Sequence, residues 1–174
     1  VPSISSEIVS SDVTLTGWTY AGTPTTHSGY FGIRGVGGNG FYILQLQTTT
    51  NIEARFTNAG STNYDASSPT PSITANQWNY SSLVLDGTAL RFYDNGTAEG
   101  TSTVTGAFTA TTDSLEIGAV YGQFLEADDT SHDEVRLANV ARSAAWVSAE
   151  YTNQSTTTDF YTVNNDVREW NSTN

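Results

Sequence analysis

The chain has 174 residues, enough for one domain with its own core, and no Cys, which excludes disulfides and thiolate metal sites. Eighteen Asp and Glu face six basic residues, all Arg, for a formal net charge of −12, so phosphate backbones are repelled and nucleic acid is set aside as a partner. No apolar stretch is longer than a strand, so no membrane insertion is expected, and neutral polar ligands and divalent cations stay compatible. A start at Val1 with no Met anywhere fits an excised or processed piece, and acidity without Lys fits an exported protein in a salty medium.

Period-two alternation between turn signals predicts strands from end to end. The first covers Val13–Tyr20, followed by a polar loop over Ala21–Gly29 and a strand over Tyr30–Val36. Gly35-x-Gly37-x-x-Gly40 then has the spacing of a dinucleotide-binding turn, which needs a helix N-terminus to hold the pyrophosphate. Phe41–Gln47 instead alternates like a strand, so the glycines read as a hairpin connection. Asn51–Thr57 is a fourth strand, and Thr57–Thr74, rich in Ser, Thr, Asn and Pro, reads as a surface loop.

A meander follows, with strands Trp78–Asp86, Ala89–Tyr93 and Thr97–Thr103 joined at Asp86-Gly87 and Asn95-Gly96. Its Leu83, Leu85, Leu90 and Phe92 share the core face, and the other face is expected near water. Ser114–Val120, Asp133–Ala138 and Asp159–Val163 complete the strands, and Ser143–Tyr151 is the one helical segment, with Ser143 as N-cap. The predicted fold is all-β: a two-sheet antiparallel β-sandwich of jelly-roll type with one short helix near the C-terminus. Trp18, Trp78 and Trp146 are assigned to its core, while Trp170 lies in a polar tail suited to docking on a parent chain or neighbour.

The order Trp78, Asp86-Gly87, Tyr93, Asn95-Gly96, then Leu115-Glu116-Ile117-Gly118, then Asp133-Glu134-Val135-Arg136-Leu137, Asn139 and Ala141-Arg142-Ser143 resembles the laminin-G-like branch of the concanavalin A-like lectin/glucanase superfamily. The resemblance implies a single jelly-roll domain over residues 1–174, with a family-like core from 11 to 163 and a polar tail from 164 to 174. It carries no one function, because this superfold hosts sugar binders, adhesion modules and glycosidases.

The residues narrow the choice. A glycosidase needs two carboxylates on one cleft, and superfamily glucanases that resemble this fold cluster theirs along one strand. Glu116 stands alone, and Asp133 and Glu134 are adjacent, so simple alternation sends them to opposite faces and no enzyme is expected. Ser131-His132-Asp133 fails as a triad for the same reason. His132 and His27 read as surface or turn residues, and Asp133 with Arg136 as a structural charged pair.

Asn79, Asn95, Asn153 and Asn171 each begin an Asn-x-Ser/Thr acceptor. Sugar recognition stacks an aromatic ring on a pyranose while amides and carboxylates fix its hydroxyls, and loop residues Tyr30, Asn63, Tyr64, Asp65, Tyr121, Gln123 and Phe124 offer that chemistry. Glu126, Asp128 and Asp129 offer oxygen ligands for calcium, which the resemblance supports because such relatives bind calcium at rim loops; a merely solvated acidic loop is the alternative.

The expected function is a non-catalytic carbohydrate-binding or adhesion module on the cell, virion or extracellular surface, with calcium as a candidate cofactor and glycans or cell-surface polysaccharide as partners. The competing readings are a structural decoration domain contacting other protein subunits, and a glycoside hydrolase of the same superfold.

Overall fold

The computed structural model describes residues 12–22, 28–34, 39–45, 51–68, 73–106, 113–119 and 129–156. In chain order they form β1 (Asp12–Ala21), β2 (Gly29–Arg34), β3 (Gly40–Gln45), β4 (Ile52–Thr57), β5 (Asn63–Ser67), β6 (Trp78–Asp86), β7 (Ala89–Asp94), β8 (Thr97–Thr103), β9 (Glu116–Ile117), β10 (Thr130–Ala138) and α1 (Ala144–Ser155). Two five-stranded antiparallel sheets result, one ordered β10-β1-β6-β7-β8 and the other β5-β4-β3-β2-β9. The fold is the expected all-β sandwich.

Strand alternation builds the core between the sheets. Val13 and Leu15 of β1, Leu83 and Leu85 of β6 and Leu90 and Phe92 of β7 meet Phe31, Ile33, Phe41, Ile43, Ala54 and Phe56 of the second sheet, all fully buried. A strand follows Gly40 instead of a helix, so no phosphate cradle forms there. The stretch read as a loop over Thr57–Thr74 contains β5, whose Ala66 enters the core opposite Ala54. Turn residues masked it, because Asn63, Asp65 and Ser67 face outward while Tyr64 and Ala66 alone supply its apolar side. In the opposite sense, the strand expected over Ser114–Val120 is shorter among the described residues, where Glu116–Ile117 pairs with β2; Val120 lies outside them. Asp159–Val163 lies outside the described residues.

Both tight reversals of the meander form. Asp86 Oδ1 accepts from Thr88 N, Thr88 Oγ1 and Ala89 N, and against the cost of partial burial these bonds and Arg91 hold its carboxyl down to about 2. At the second reversal Asn95 and Gly96 both have positive φ, 48° and 77°, as a type I′ turn requires. Asn95 Oδ1 also accepts from Tyr80 N at 3.0 Å, which extends the ladder by a side chain.

The outer face of the first sheet does not simply meet water. Ser143 caps α1 by accepting from Trp146 N at 3.2 Å, and the helix lays Val147, Glu150 and Tyr151 on that face. A second apolar cluster forms there from Tyr80, Val84, Tyr93 and Val147, flanked by Trp18, Trp146 and Tyr151. Thr14 Oγ1 donates to Val140 O at 2.7 Å and accepts from Arg142 N at 2.9 Å, tying the β10–α1 link to β1. At the centre of the joint, the buried Glu150 carboxylate accepts from Tyr80 Oη and from Arg136 Nη1, each at 2.5 Å.

Two expectations follow. Removing the Glu150 carboxylate takes the acceptor from buried Tyr80 and one of two carboxylate partners from Arg136, so Glu150→Ala should lower stability by about 3 kcal/mol in urea unfolding, and Glu150→Gln by less. Stability should also depend on pH through three buried groups. Burial, reinforced by Asp65 and opposed by Arg55, pushes the Glu53 carboxyl up to about 7, and burial with Glu99 does the same to Asp94.

A raised carboxyl pKa contributes stability in full below its ordinary value, 4.5 or 3.8, and loses it as pH rises through about 7. Burial holds the His132 imidazole down to about 4, so its contribution is present above 6.5 and lost as pH falls through about 4. The carboxyl windows overlap that of His132 with opposite sign, so urea midpoints measured across pH should fall less, or rise more, with pH in Glu53→Gln between about 4.5 and 7 and in Asp94→Asn between about 3.8 and 7 than in the parent protein.

Candidate functional site

On β6 the residues Trp78 and Tyr80 are out of phase with Leu83 and Leu85, so alternation turns them to the outer face. Across the ladder Tyr20 pairs with Trp78 and Trp18 with Tyr80, which sets four aromatic side chains in a block on two adjacent strands. The Tyr20 and Trp78 rings lie 5.7 Å apart and those of Trp18 and Tyr80 5.3 Å apart. Tyr151 of α1 stacks on Trp18 at 5.7 Å. Trp78 remains 46% exposed.

The third side of the site comes from β10. Thr16 pairs with Arg136 and Trp18 with Asp133, so Glu134 and Val135 together stand opposite Gly17. This is a β-bulge: Glu134 is the extra residue, in the left-handed region at φ 51°. Its effect is to turn Asp133, Glu134 and Arg136 all toward the aromatic block while Val135 packs inward near Phe31. Gly17 makes room for it, since a Cβ there would stand 2.9 Å from Phe31 Cζ and 3.1 Å from Val135 Cγ2.

Together these elements enclose an open pocket of about 630 Å³. Trp18 and Trp78 form one wall, Asp133, Glu134 and Arg136 the second, and Tyr151, Asn153, Gln154 and Ser155 at the end of α1 the third. Arg136 is held by both Glu134 and Glu150. Asp133 Oδ1 accepts from Glu134 N at 2.8 Å. Trp18 Nε1 donates to Gln154 Oε1, which fixes the helix end against the indole. Such a wall pattern, aromatic faces beside directed carboxylates and amides, can stack a flat or ring-shaped polar ligand and bond its periphery.

Several sequence expectations are corrected by this placement. Trp18, Trp78 and Trp146 are not in the inter-sheet core; they belong to the outer face and its helix, because their strand phase or helical position points them there. Asp133 and Glu134 do not take opposite faces, since the bulge resets the alternation. Asp133 is not the partner of Arg136. His132 is not a surface residue: it faces inward, 3.1 Å from Thr19 Oγ1 and 3.2 Å from Thr130 Oγ1, beside the Tyr30 and Phe31 rings. With Asp133 on the other face, no triad geometry exists.

Of the residues expected to bind sugar, the described ones, Tyr30, Asn63, Tyr64 and Asp65, fall elsewhere. Tyr30 is fully buried, so its ring cannot stack on a ligand. Asn63, Tyr64 and Asp65 lie on β5 in the other sheet, with their polar atoms engaged. Asn63 Oδ1 accepts from Thr57 Oγ1, Tyr64 Oη bonds to Thr105, and Asp65 pairs with Arg55. Tyr121, Gln123, Phe124, Glu126 and Asp128 lie outside the described residues, as do His27, Trp170 and Asn171.

Of the calcium candidates only Asp129 is described, exposed and beside Gly22, whose N–H donates to Asp129 O at 3.0 Å. Among the described residues no three His, Asp or Glu gather to hold a metal ion. Of the glycosylation acceptors, Asn79 is buried and Asn95 is bound into its turn, whereas Asn153 is exposed at the pocket rim.

Gly17→Ala should cost about 1–3 kcal/mol in chemical unfolding, because Phe31 and Val135 must move. Glu134→Gly keeps the left-handed backbone and should cost much less; equal losses would contradict this account of the bulge.

Comparison with known proteins agrees with this architecture. A mutant of NanB sialidase from Streptococcus pneumoniae superposes with a TM-score of 0.68 at 23% identity, over 83% of this chain and 24% of the other. Domain 4 of AbnA, an extracellular arabinanase from Geobacillus stearothermophilus solved in complex with arabinotriose, gives 0.59 at 19% identity, over 80% and 66%. The botulinum neurotoxin serotype G binding domain gives 0.64 at 13% identity, over 85% and 37%, so the chain spans little more than a third of that structure. At these identities the likeness concerns the fold. No curated protein matches the sequence. The laminin-G family described as the concanavalin A-like lectin/glucanases superfamily matches residues 1–148, and the chain belongs to that family.

Proposed function

We propose that the domain is a non-catalytic carbohydrate-binding module of an exposed surface protein, and that its ligand sits in the pocket between the outer face of the first sheet and the end of α1. The observation that carries this reading is Trp78: a large indole, nearly half exposed, held by Tyr20 on the floor of a pocket whose other walls are carboxylates and amides. An aromatic ring left in water at a preformed concavity is the arrangement that stacks on the apolar face of a pyranose. A pocket of about 630 Å³ has the size for small ligands and short oligosaccharide segments.

Further support comes from the solved relative that carries arabinotriose and from the family's breadth of lectins and glucanases. Binding is favoured over hydrolysis because the pocket lining offers no pair of free carboxyls. Glu134 is paired with Arg136, and Asp133 accepts from the backbone. A general acid and its partner need free carboxyls on opposite sides of a glycosidic bond.

Glycan-array screening followed by calorimetry, with calcium and with chelator, tests the reading. Trp78→Ala should reduce affinity for the glycan that binds by at least about tenfold, with little change in unfolding midpoint because the ring is exposed. Glycan binding that survives this substitution unchanged would move the site elsewhere. Release of reducing ends from that glycan would contradict the non-catalytic assignment.

A further inference from the structure

We infer that the pocket selects a basic sugar, a hexosamine unit bearing a free amino group, over its N-acetylated and acidic counterparts. This rests on the glycan reading above and names the ligand class of the same site. The charge distribution around the aromatic floor is the argument. Asp133 and Glu134 line the pocket, and the one guanidinium among its lining residues, Arg136, is paired with Glu134 and with the buried Glu150. Arg136 is bridged by both Glu134 and Glu150, so its single positive charge is more than matched by carboxylates before a carboxylate, sulfate or phosphate on a sugar arrives. Arg142, at the start of α1, is drawn instead over the Trp146 ring at 4.8 Å.

An anionic sugar would therefore enter a pocket whose carboxylates outnumber its one guanidinium, in a chain of net charge −12. An ammonium group finds the reverse. Asp133 Oδ1 is taken by the Glu134 N–H, which fixes the carboxylate and leaves Oδ2 for a ligand. The Trp18 and Trp78 rings on the adjoining wall add the attraction of an aromatic face for a cation. Acetylating the amine abolishes its charge. A neutral sugar keeps the stacking contact alone.

Calorimetry on the 174-residue chain, at low ionic strength, with glucosamine, N-acetylglucosamine and galacturonic acid oligomers of equal length tests this. The expected result is glucosamine oligomers binding about tenfold tighter than the N-acetylated ones, with no binding of the acidic series. Asp133→Asn should erase that preference. Glu99→Gln, on β8 at the far edge of the same sheet, should leave it intact, which separates the pocket from the general attraction of an acidic protein for polycations.

Equal or tighter binding of the N-acetylated or acidic oligomers would overturn the inference. So would a preference that survives Asp133→Asn, or one lost equally in Glu99→Gln. In each of those cases, binding that still requires Trp78 leaves the glycan reading standing. If no oligomer of any charge binds in a Trp78-dependent way, that reading falls and the inference falls with it.

Discussion

One buried carboxylate joins the two halves of the structure that matter. Glu150 is placed on α1 so that Tyr80 from the sheet and Arg136 from β10 both donate to it, and burial makes the loss of either partner costly. The apolar contacts of Val147 with Tyr80, Val84 and Tyr93 would hold the helix near the sheet, but they are not directional. Glu150 sets its rotation. With that fixed, Tyr151 meets Trp18 and Gln154 meets the indole N–H, and the last turn of the helix becomes a wall instead of a loose end.

The sandwich itself explains little of the pocket. Its core would form as well without Trp78, which stands on the outer face against Tyr20. What the fold supplies is a rigid face on which side chains of alternate phase are displayed, and three local devices convert that face into a site. These are the aromatic pairs across β1 and β6, the bulge in β10, and the helix docked over both. Function thus rests on features that a superfold shared by binders and enzymes leaves free to vary.

The hairpins and most strands were legible because their signals are local: Asn95-Gly96 needs left-handed backbone and Leu83, Leu85, Leu90 and Phe92 repeat in register. The site was less so. Alternation tells which residues share a face, and the odd interval between Trp78 and Leu83 already placed the indole opposite the core; the size and apolarity of Trp argued the other way and prevailed. No comparable signal marks the bulge, because a left-handed Glu134 has no glycine to announce it. His132 misled for a different reason, since a polar stretch before β10 hides that the strand begins at Thr130 and points the imidazole inward.

The extra residue in β10 has a bearing beyond the pocket. Among the described strands β10 stands at the margin of its sheet, where an uninterrupted ladder would present a row of backbone donors and acceptors to any second chain that came alongside. A kink at Glu134, with charged side chains before and after it, breaks the regular spacing such an addition requires. The same irregularity that orients Asp133 therefore protects the protein from strand-to-strand aggregation, and a variant repaired to perfect regularity would gain a sticky seam.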